Sequence, residues 1–304
     1  MPQLGYRAVG FVGDDIAGDE LEGLPVLGGF ADAERVAAES GASGVMISLS
    51  SVDGPTVNTL SRRLTEAGLH VSLTSSLSDI DLRRLRFQEV DRQTLIYIEP
   101  VIRTGWRMAA KRAFDVGGAL LGLALSSPIL LAAAIAIKID SPGPVFYRQR
   151  RTGQHGQPFE ILKLRTMVVD AHERRAELDE LNESDGPLFK IRADPRITRV
   201  GRFLRATSID EIPQFWNVVR GEMSIVGPRP ALPSEVEQWD ADVHERLRVL
   251  PGITGLWQVS GRADTDFEQY KRLDLYYVDN WSLFHDIEVV LRTVGVIATR
   301  RGAS

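Results

Sequence analysis

Cysteine is absent from the 304 residues of this chain. Disulfide bonds and thiolate metal sites are therefore excluded, which suits the cytosol. No array of basic and aromatic residues typical of RNA- or DNA-binding proteins is present, so no nucleic-acid partner is expected. A signal peptide is not expected at the N-terminus either. The histidines show no spacing typical of a metal site: His70, His155, His172, His244 and His285.

Basic residues are scarce in the first third of the chain. Residues 1–100 contain 8 Lys and Arg against 15 Asp and Glu, whereas residues 101–304 contain 28 against 26. Because an acidic surface repels anions, the first part is not expected to bind them. The basic residues of the second part cluster beside an apolar run, which favours lipid headgroups or phosphates as partners.

Apolar stretches at residues 6–12, 44–49 and 69–73 alternate with helical patterns near 32–39 and 55–67. This alternation predicts βαβ units and an α/β fold with a parallel sheet. Residues 10–13, GFVG, are a weak match to a dinucleotide-binding loop. The third glycine of that motif is missing and Asp14 and Asp15 follow, so tight-turn glycines in a Rossmann-like fold are the favoured interpretation.

A run without any charge extends from residue 116 to 137. Its length is that of a transmembrane helix, but Ser127 and Pro128 interrupt its middle, and proline removes a helix hydrogen bond. Each arm of about ten residues covers roughly 15 Å, half of a hydrocarbon core. Basic residues flank both ends: Arg103, Arg107, Lys111, Arg112, Lys138, Arg148, Arg150 and Arg151.

Basic flanks mark the cytoplasmic side of a membrane. We therefore predict an interfacial amphipathic helix over residues 101–115 and a re-entrant membrane helix over 116–138, with both ends on the cytoplasmic face. A kinked single span and a buried helix of a soluble protein remain as alternatives.

Two adjacent carboxylates, Asp210 and Glu211, lie in a segment whose sequence fits a capping box that begins at Ser208. One interpretation is that they only complement the dipole of a helix starting there. The other is a metal–phosphate site, because Arg205 lies one turn upstream. A second arginine follows the helix in the segment Pro228, Arg229 and Pro230.

A β-hairpin is predicted from residues 145–150 and 159–164, before a charged helix at 170–183. Its second strand carries Lys163 and Arg165, which are either phosphate contacts or solvated cations. Residues 251–262 form a glycine-rich loop that contains Gln258 and ends at Arg262.

Taken together, these segments resemble the bacterial sugar transferase family, the polyprenyl-phosphate sugar phosphotransferases, which are also called monotopic phosphoglycosyl transferases. The resemblance follows the family's order through KRAFD (111–115), ILKLRTM (161–167), GPLFKIRADPRITRVGRFLR (186–205), TSIDEIPQFWNVVRGEMSIVGPRP (207–230), PGITGLWQVSGR (251–262) and LDLYYVDNWSLFHDI (273–287).

The resemblance implies a Rossmann-like regulatory or oligomerisation domain at residues 1–95 and a homodimer. A mixed α+β monotopic membrane transferase domain follows at 96–304, with its catalytic part at 139–304 and the family's membrane-helix break at Ser127 and Pro128. Large family members begin with several membrane-spanning helices, which are not found in this sequence. The location implied is the cytoplasmic face of the bacterial inner membrane, among its lipids.

The activity implied is transfer of a hexose-1-phosphate from a UDP-sugar to polyprenyl (undecaprenyl) phosphate, with release of UMP. This reaction initiates exopolysaccharide, O-antigen or capsule assembly in the family. Asp210 matches the family's nucleophile and Glu211 assists, both as ligands of Mg²⁺. The substrate-binding residues implied are Lys163, Arg165, Arg205, Pro228, Arg229, Pro230, Gln258 and Arg262.

Two other classes of protein remain open. A soluble NAD-dependent enzyme would need the missing glycine and would leave the apolar run unexplained. A catalytically inactive membrane adaptor would keep the fold but would not need Asp210 and Glu211.

Overall fold

The computed structural model describes residues 7–74, 77, 79–90, 93–171, 194–260 and 267–299. The chain divides into two compact units, Met1–Asp79 and Ile80–Ser304. This division lies before a β-hairpin of the second unit, whereas the boundary expected at residues 95 and 96 lies within the hairpin's second strand, Gln93–Ile98. The charged helix predicted over 170–183 falls almost wholly outside the described residues.

The first unit consists of short strands and two helices. In chain order these are β1 (Glu20–Leu21), β2 (Leu24–Pro25), α1 (Ala33–Ser40), β3 (Gly44–Ser48), α2 (Gly54–Glu66) and β4 (His70–Thr74). Strands β3 and β4 pair in parallel across α2, which makes one βαβ unit. Asp53 caps α2 because its carboxylate accepts the backbone N–H of Thr56 at 2.9 Å.

The helices and strands predicted between residues 32 and 74 are therefore confirmed. A Rossmann-like sheet is not confirmed, because among the described residues of the first unit the parallel sheet contains β3 and β4 alone. The strand expected at 6–12 is represented by an isolated bridge between Phe11 and Val26. Gly10 lies so close to the Pro25 carbonyl and Leu27 that a Cβ atom would collide with both, so it serves close backbone packing.

The second unit begins with the antiparallel hairpin of β5 (Leu85–Val90) and β6 (Gln93–Ile98), followed by the long helix α3 (Trp106–Asp140). The predicted hairpin is confirmed as β7 (Phe146–Thr152) and β8 (Pro158–Leu164). The remaining elements are α4 (Arg199–Ala206), α5 (Gln214–Arg220), β9 (Ser224–Val226), α6 (Pro233–Val236), α7 (Ala241–His244), β10 (Gly252–Thr254), α8 (Leu256–Ser260), α9 (Phe267–Asp279) and α10 (Leu283–Thr299). Strands β9 and β10 pair in parallel.

Helix α3 is long and apolar enough to cross a membrane, judged by its length and composition. Only 11% of its most apolar stretch is buried within the protein, so the alternative of a buried soluble helix is wrong. One face packs on the fold through Ala119, Ala133 and Ile137. Another face leaves large side chains exposed, including Leu125 at 72% and Ile139 at 82%. An exposed apolar surface of this kind suits contact with lipid.

Pro128 lies inside the continuous helix. Its missing N–H would leave the carbonyl of Ala124, four residues earlier, without its helical partner. The hydroxyl of Ser127 donates to that carbonyl at 2.8 Å. Ser126 donates to the carbonyl of Gly122 at 2.6 Å. The hydroxyl of Ser127 thus compensates for the hydrogen bond that Pro128 cannot make.

A separate interfacial helix over 101–115 is not found, because α3 begins at Trp106 and continues without interruption to Asp140. Lys111 is buried against two carboxylates, at 3.1 Å from Asp115 and 2.8 Å from Asp286. Asp115 also accepts the backbone N–H of Ile225 at 3.0 Å. Lys111 is therefore an anchor within the protein and not a cation at the headgroups.

Candidate active site

The dyad Asp210–Glu211 lies in a 3-10 turn, Ile209–Glu211, between α4 and α5. The predicted capping box is wrong: Ser208 has a φ of 55° and its side chain makes no capping hydrogen bond. The hydroxyl of Thr207 donates to the Phe203 carbonyl at 2.8 Å, so this segment ends α4 and does not begin α5. A left-handed conformation is unusual for serine, and such conformations are concentrated at functional sites.

The turn is held against the hairpin by Asn217 of α5, which is buried. Its side-chain oxygen accepts the N–H of Leu162 at 3.0 Å, and its Nδ2 donates to the carbonyl of Glu160 at 2.7 Å. Side-chain hydrogen bonds to strand backbone fix the distance between α5 and β8. They thereby set the position of the dyad relative to Lys163, which follows Leu162 on β8.

Lys163 Nζ lies 2.7 Å from Glu211 Oε1, which makes a partly exposed ion pair. Asp210 is 8% exposed. Burial raises the pKa of Asp210 to about 6, while the positive charges of Lys163 and Arg205 act in the opposite direction and Glu211 reinforces the rise. The site therefore contains the desolvated carboxylate of Asp210 beside that of Glu211, which is paired with Lys163. The charges of Lys163 and Arg205 favour the ionised form of Asp210.

The segment that contains Arg229 and its neighbouring prolines also contacts this hairpin. Thr152 at the end of β7 forms a bridge with Ala231, and Arg151 donates to the Pro230 carbonyl at 3.1 Å. Arg229 Nη1 lies 3.2 Å from Glu235 Oε2, and its side chain is 28% exposed. Tyr270 also forms a side-chain hydrogen bond with Arg229. The planar guanidinium has the geometry that suits phosphate oxygens.

Arg151 was interpreted from the sequence as a membrane flank, but it is a buried component of this region. Burial, reinforced by the nearby Arg229, lowers the pKa of Arg151 to about 10. Its Nε is buried and has no hydrogen-bond partner among the described residues. The only sequence signal for this role was the alternation of the predicted strand, which does not specify a partner.

The other predicted substrate contacts are dispersed. The guanidinium of Arg165 donates to the carbonyls of Ser141, at 2.8 Å, and Pro142, so it anchors the turn after α3. Arg205 is exposed on α4 and acts on Asp210 through its charge. Gln258 lies in α8, close to β10. Arg262 lies outside the described residues.

The residues present fit a Mg²⁺ ion whose remaining ligands would come from the substrate. Within the described ranges no group of three His, Cys, Asp or Glu side chains forms a ready-made metal site. Mg²⁺ is commonly held by one or two carboxylates together with substrate phosphates and water, and it requires no histidine. Asp210 and Glu211 are the two adjacent carboxylates that could supply that minimal set.

The site combines a desolvated carboxylate with nearby cations, and a long apolar helix lies next to it. This combination suits phosphoryl transfer at a membrane. The chain belongs to the bacterial sugar transferase family, whose model matches residues 106–300.

Curated relatives extend this assignment. The chain is 45% identical over 204 residues to the UDP-galactose-lipid carrier transferase of Erwinia amylovora, covering 64% of this chain and 41% of that protein. It is 46% identical over 203 residues to the UDP-glucose:undecaprenyl-phosphate glucose-1-phosphate transferase of Caulobacter vibrioides, covering 64% of this chain and 71% of the relative. The Escherichia coli protein of the same name is 34% identical over 305 residues, covering 96% of this chain and 62% of its own length. The chain thus spans well under half of the Erwinia protein.

Proposed function

We propose that this protein transfers a hexose-1-phosphate from a UDP-sugar to undecaprenyl phosphate, releasing UMP. The observation that carries the proposal is the buried Asp210 next to an ion pair. In that pair Lys163 Nζ lies 2.7 Å from Glu211 Oε1. The names of the Caulobacter and Escherichia relatives support UDP-glucose and undecaprenyl phosphate as the substrate classes.

In the first step the Asp210 carboxylate attacks the phosphorus that carries the sugar. An acyl phosphate bond forms, the phosphoanhydride bond breaks, and UMP leaves with the bridging oxygen and its electron pair. In the second step an oxygen of the lipid phosphate attacks the same phosphorus and restores the carboxylate. Dividing the displacement in this way replaces one difficult step with two easier ones.

Each cation near Asp210 has a part in this scheme. Lys163 and Arg205 favour the ionised carboxylate, and Lys163 also holds Glu211 in place. Arg229 supplies a planar fork of donors to phosphate oxygens, since guanidinium matches phosphate bidentately. Mg²⁺, held by Asp210 and Glu211, would neutralise charge on the phosphate oxygens.

Helix α3 explains how a soluble nucleotide-sugar meets a lipid acceptor. We propose that it enters the membrane and returns at Pro128, so that the catalytic part lies at the headgroups on the cytoplasmic face of the inner membrane. Its exposed apolar side chains support contact with lipid, and its packing on α4, α5 and β8 attaches it to the catalytic part.

The direct test is UMP release by the protein in detergent or nanodiscs, with a panel of UDP-hexoses and undecaprenyl phosphate. We expect release with at least one donor and its loss in Asp210→Asn. An inactive adaptor would bind membranes but release no UMP with any donor.

A further inference from the structure

A buried network of polar side chains surrounds Arg229, and the phosphoryl-transfer scheme above does not use it. It consists of Glu235 on α6, Arg246 in the 3-10 turn Glu245–Arg248, and Tyr270 and Asp274 on α9. Each of these four side chains is at most 4% exposed. Polar and charged groups buried to this extent cost free energy unless they are paired, so their pairing indicates what they do.

Tyr270 joins two arginines of the network. Arg246 Nη2 donates to its phenolic oxygen, and the guanidinium of Arg229 forms a second side-chain hydrogen bond with the same tyrosine. A guanidinium has donors and no acceptor, so the oxygen of Tyr270 accepts from both arginines. Removal of this one oxygen would therefore take a hydrogen-bond partner from both guanidiniums at once.

Arg246 is itself held in one orientation. Its Nη2 lies 2.6 Å from Asp274 Oδ2. Its guanidinium lies 4.4 Å from the ring centre of Tyr270 and 4.7 Å from that of Trp239, which is the range of cation–π contacts. The ring of Tyr270 also packs edge-to-face with that of Trp257, with ring centres 5.1 Å apart. Tyr270 thus presents its oxygen to Arg229 from a fixed position.

The carboxylate partner of Arg229 is fixed in the same way. Arg229 Nη1 lies 3.2 Å from Glu235 Oε2, and that oxygen also accepts the backbone N–H of Leu232 at 2.9 Å. The side chain of Arg229 is 28% exposed, whereas both of its side-chain partners are buried. A partly exposed cation is therefore held by two groups that cannot follow it if it moves.

We propose that Tyr270, supported by Arg246 and Asp274, positions the guanidinium of Arg229 for a phosphate group of the substrates. These three are positioning residues, which act through Arg229 and do not touch the substrate themselves. The inference rests on the proposed function, because it takes Arg229 to contact a phosphate. An arginine that is already ordered loses less rotamer freedom when it binds, so the network improves phosphate recognition by preorganisation.

The test is a double-mutant cycle between Tyr270 and Arg229 on the full chain in nanodiscs. Tyr270→Phe keeps the ring that packs on Arg246 and removes the hydroxyl alone. It should lower kcat/KM for UMP release about tenfold when Arg229 is present and less than about twofold when Arg229→Lys is already in place. The second loss is small because lysine has no planar fork for Tyr270 to orient. An equal loss in both backgrounds would show a general structural role and overturn the inference.

Tyr277→Phe is the matched control, because it makes the same change on the same helix. Tyr277 is 2% exposed, and its hydroxyl donates to Asp286 at 2.7 Å. Thermal unfolding should show that the two variants lose stability to a similar extent. Any effect of Tyr277→Phe on kcat/KM should be the same with and without Arg229→Lys, since Tyr277 makes its contacts in another cluster.

A second variant keeps the inference testable if Tyr270→Phe does not fold. Asp274→Asn keeps the shape of the side chain and removes the charge that pairs with Arg246. Its effect on kcat/KM should also shrink to less than about twofold in the Arg229→Lys background. Additive losses in a folded Asp274→Asn protein would overturn the inference in the same way.

The two proposals fail in different ways. If the unaltered protein releases no UMP from any UDP-hexose, the proposed function itself is wrong. If Arg229→Lys leaves kcat/KM unchanged, Arg229 has no place in the site and the positioning role falls with it. If activity depends on Arg229 but its loss is additive with those of Tyr270→Phe and Asp274→Asn, only the positioning role is wrong.

Discussion

Replacing Lys163 by methionine tests the electrostatic account of Asp210. Methionine keeps most of the length of the side chain but removes the charge that pairs with Glu211 at 2.7 Å. That charge also favours ionisation of Asp210, whose pKa is raised to about 6 chiefly by burial. Without it, the pKa of Asp210 should rise further.

The magnitude follows from the exposure of the pair. An opposite charge at close range lowers the pKa of a carboxylic acid by about 1–3 units, and the partial exposure of Lys163 favours the lower end. We therefore expect the acidic limb of kcat/KM for UMP release to move from about 6 to about 7. The ionised fraction of Asp210 would then fall roughly fivefold at pH 6 and hardly at all at pH 8.

The assay is kcat/KM for UMP release between pH 5 and 9 at a fixed Mg²⁺ concentration well below saturation, so that bound metal does not itself lower the pKa of Asp210. Loss of a direct phosphate contact by Lys163 would lower activity at every pH, so the shift of the limb isolates the effect on Asp210. Lys271→Met, on α9, is the matched control and should leave the limb in place. An unmoved limb in Lys163→Met, or a limb near pH 4 in the unaltered protein, would refute the reasoning.

Three further predictions concern the dyad, the arginine and the membrane helix. Asp210→Asn should abolish UMP release yet stabilise the folded protein at pH 7 by ~1–3 kcal/mol, because ionising a carboxylate whose pKa is raised from 3.8 to about 6 opposes folding. That gain, measured by thermal unfolding, should be complete above pH 6 and absent below pH 3.8; an equal gain at pH 3.5 would contradict it. Arg229→Lys keeps a charge but loses the planar fork, so kcat/KM should fall roughly 5- to 150-fold, or about 1–3 kcal/mol. Arg220→Lys, where the side chain is 58% exposed, should change it less than twofold, and equal losses would remove Arg229 from the site. With no native cysteine, Arg107→Cys and Arg148→Cys report the topology of α3. Both should react with a membrane-impermeant reagent only after cells are opened, and Pro128→Leu should shift some molecules to a form that labels on opposite faces.

Local pattern was sufficient to predict several elements. The β7–β8 hairpin and the alternating elements between residues 32 and 74 followed from short-range periodicity, which the structure confirms. The segment that contains the dyad was also recognised, because its residues match a family motif. The chemical roles assigned to Asp210 and Glu211 stay predictions.

Long-range partners could not be predicted from pattern. Lys111 resembled a membrane flank by its position, yet its charge is neutralised by Asp286, 175 residues later in the chain. Arg151 was placed at the membrane for the same reason, and Ser208 fitted a cap that its left-handed backbone does not form. In each case a tertiary contact or a turn conformation decides the role, and neither is encoded in local spacing.

Some expectations stay predictions. The homodimer, Mg²⁺ and the Rossmann-like character of the first unit each depend on the family resemblance. The chain matches 41% of the length of the Erwinia protein and 62% of that of the Escherichia protein. The transferase activity of this chain is therefore a proposal.

The covalent step is the central claim, and exchange of radiolabelled UMP into a UDP-hexose tests it most directly. The purified protein is incubated with UDP-hexose, labelled UMP and Mg²⁺, with all polyprenyl phosphate removed. A reversible first step at Asp210 predicts label in the UDP-hexose without any lipid acceptor, and none with Asp210→Asn. Exchange that appears only when undecaprenyl phosphate is added would contradict the account and indicate direct transfer between the two bound substrates.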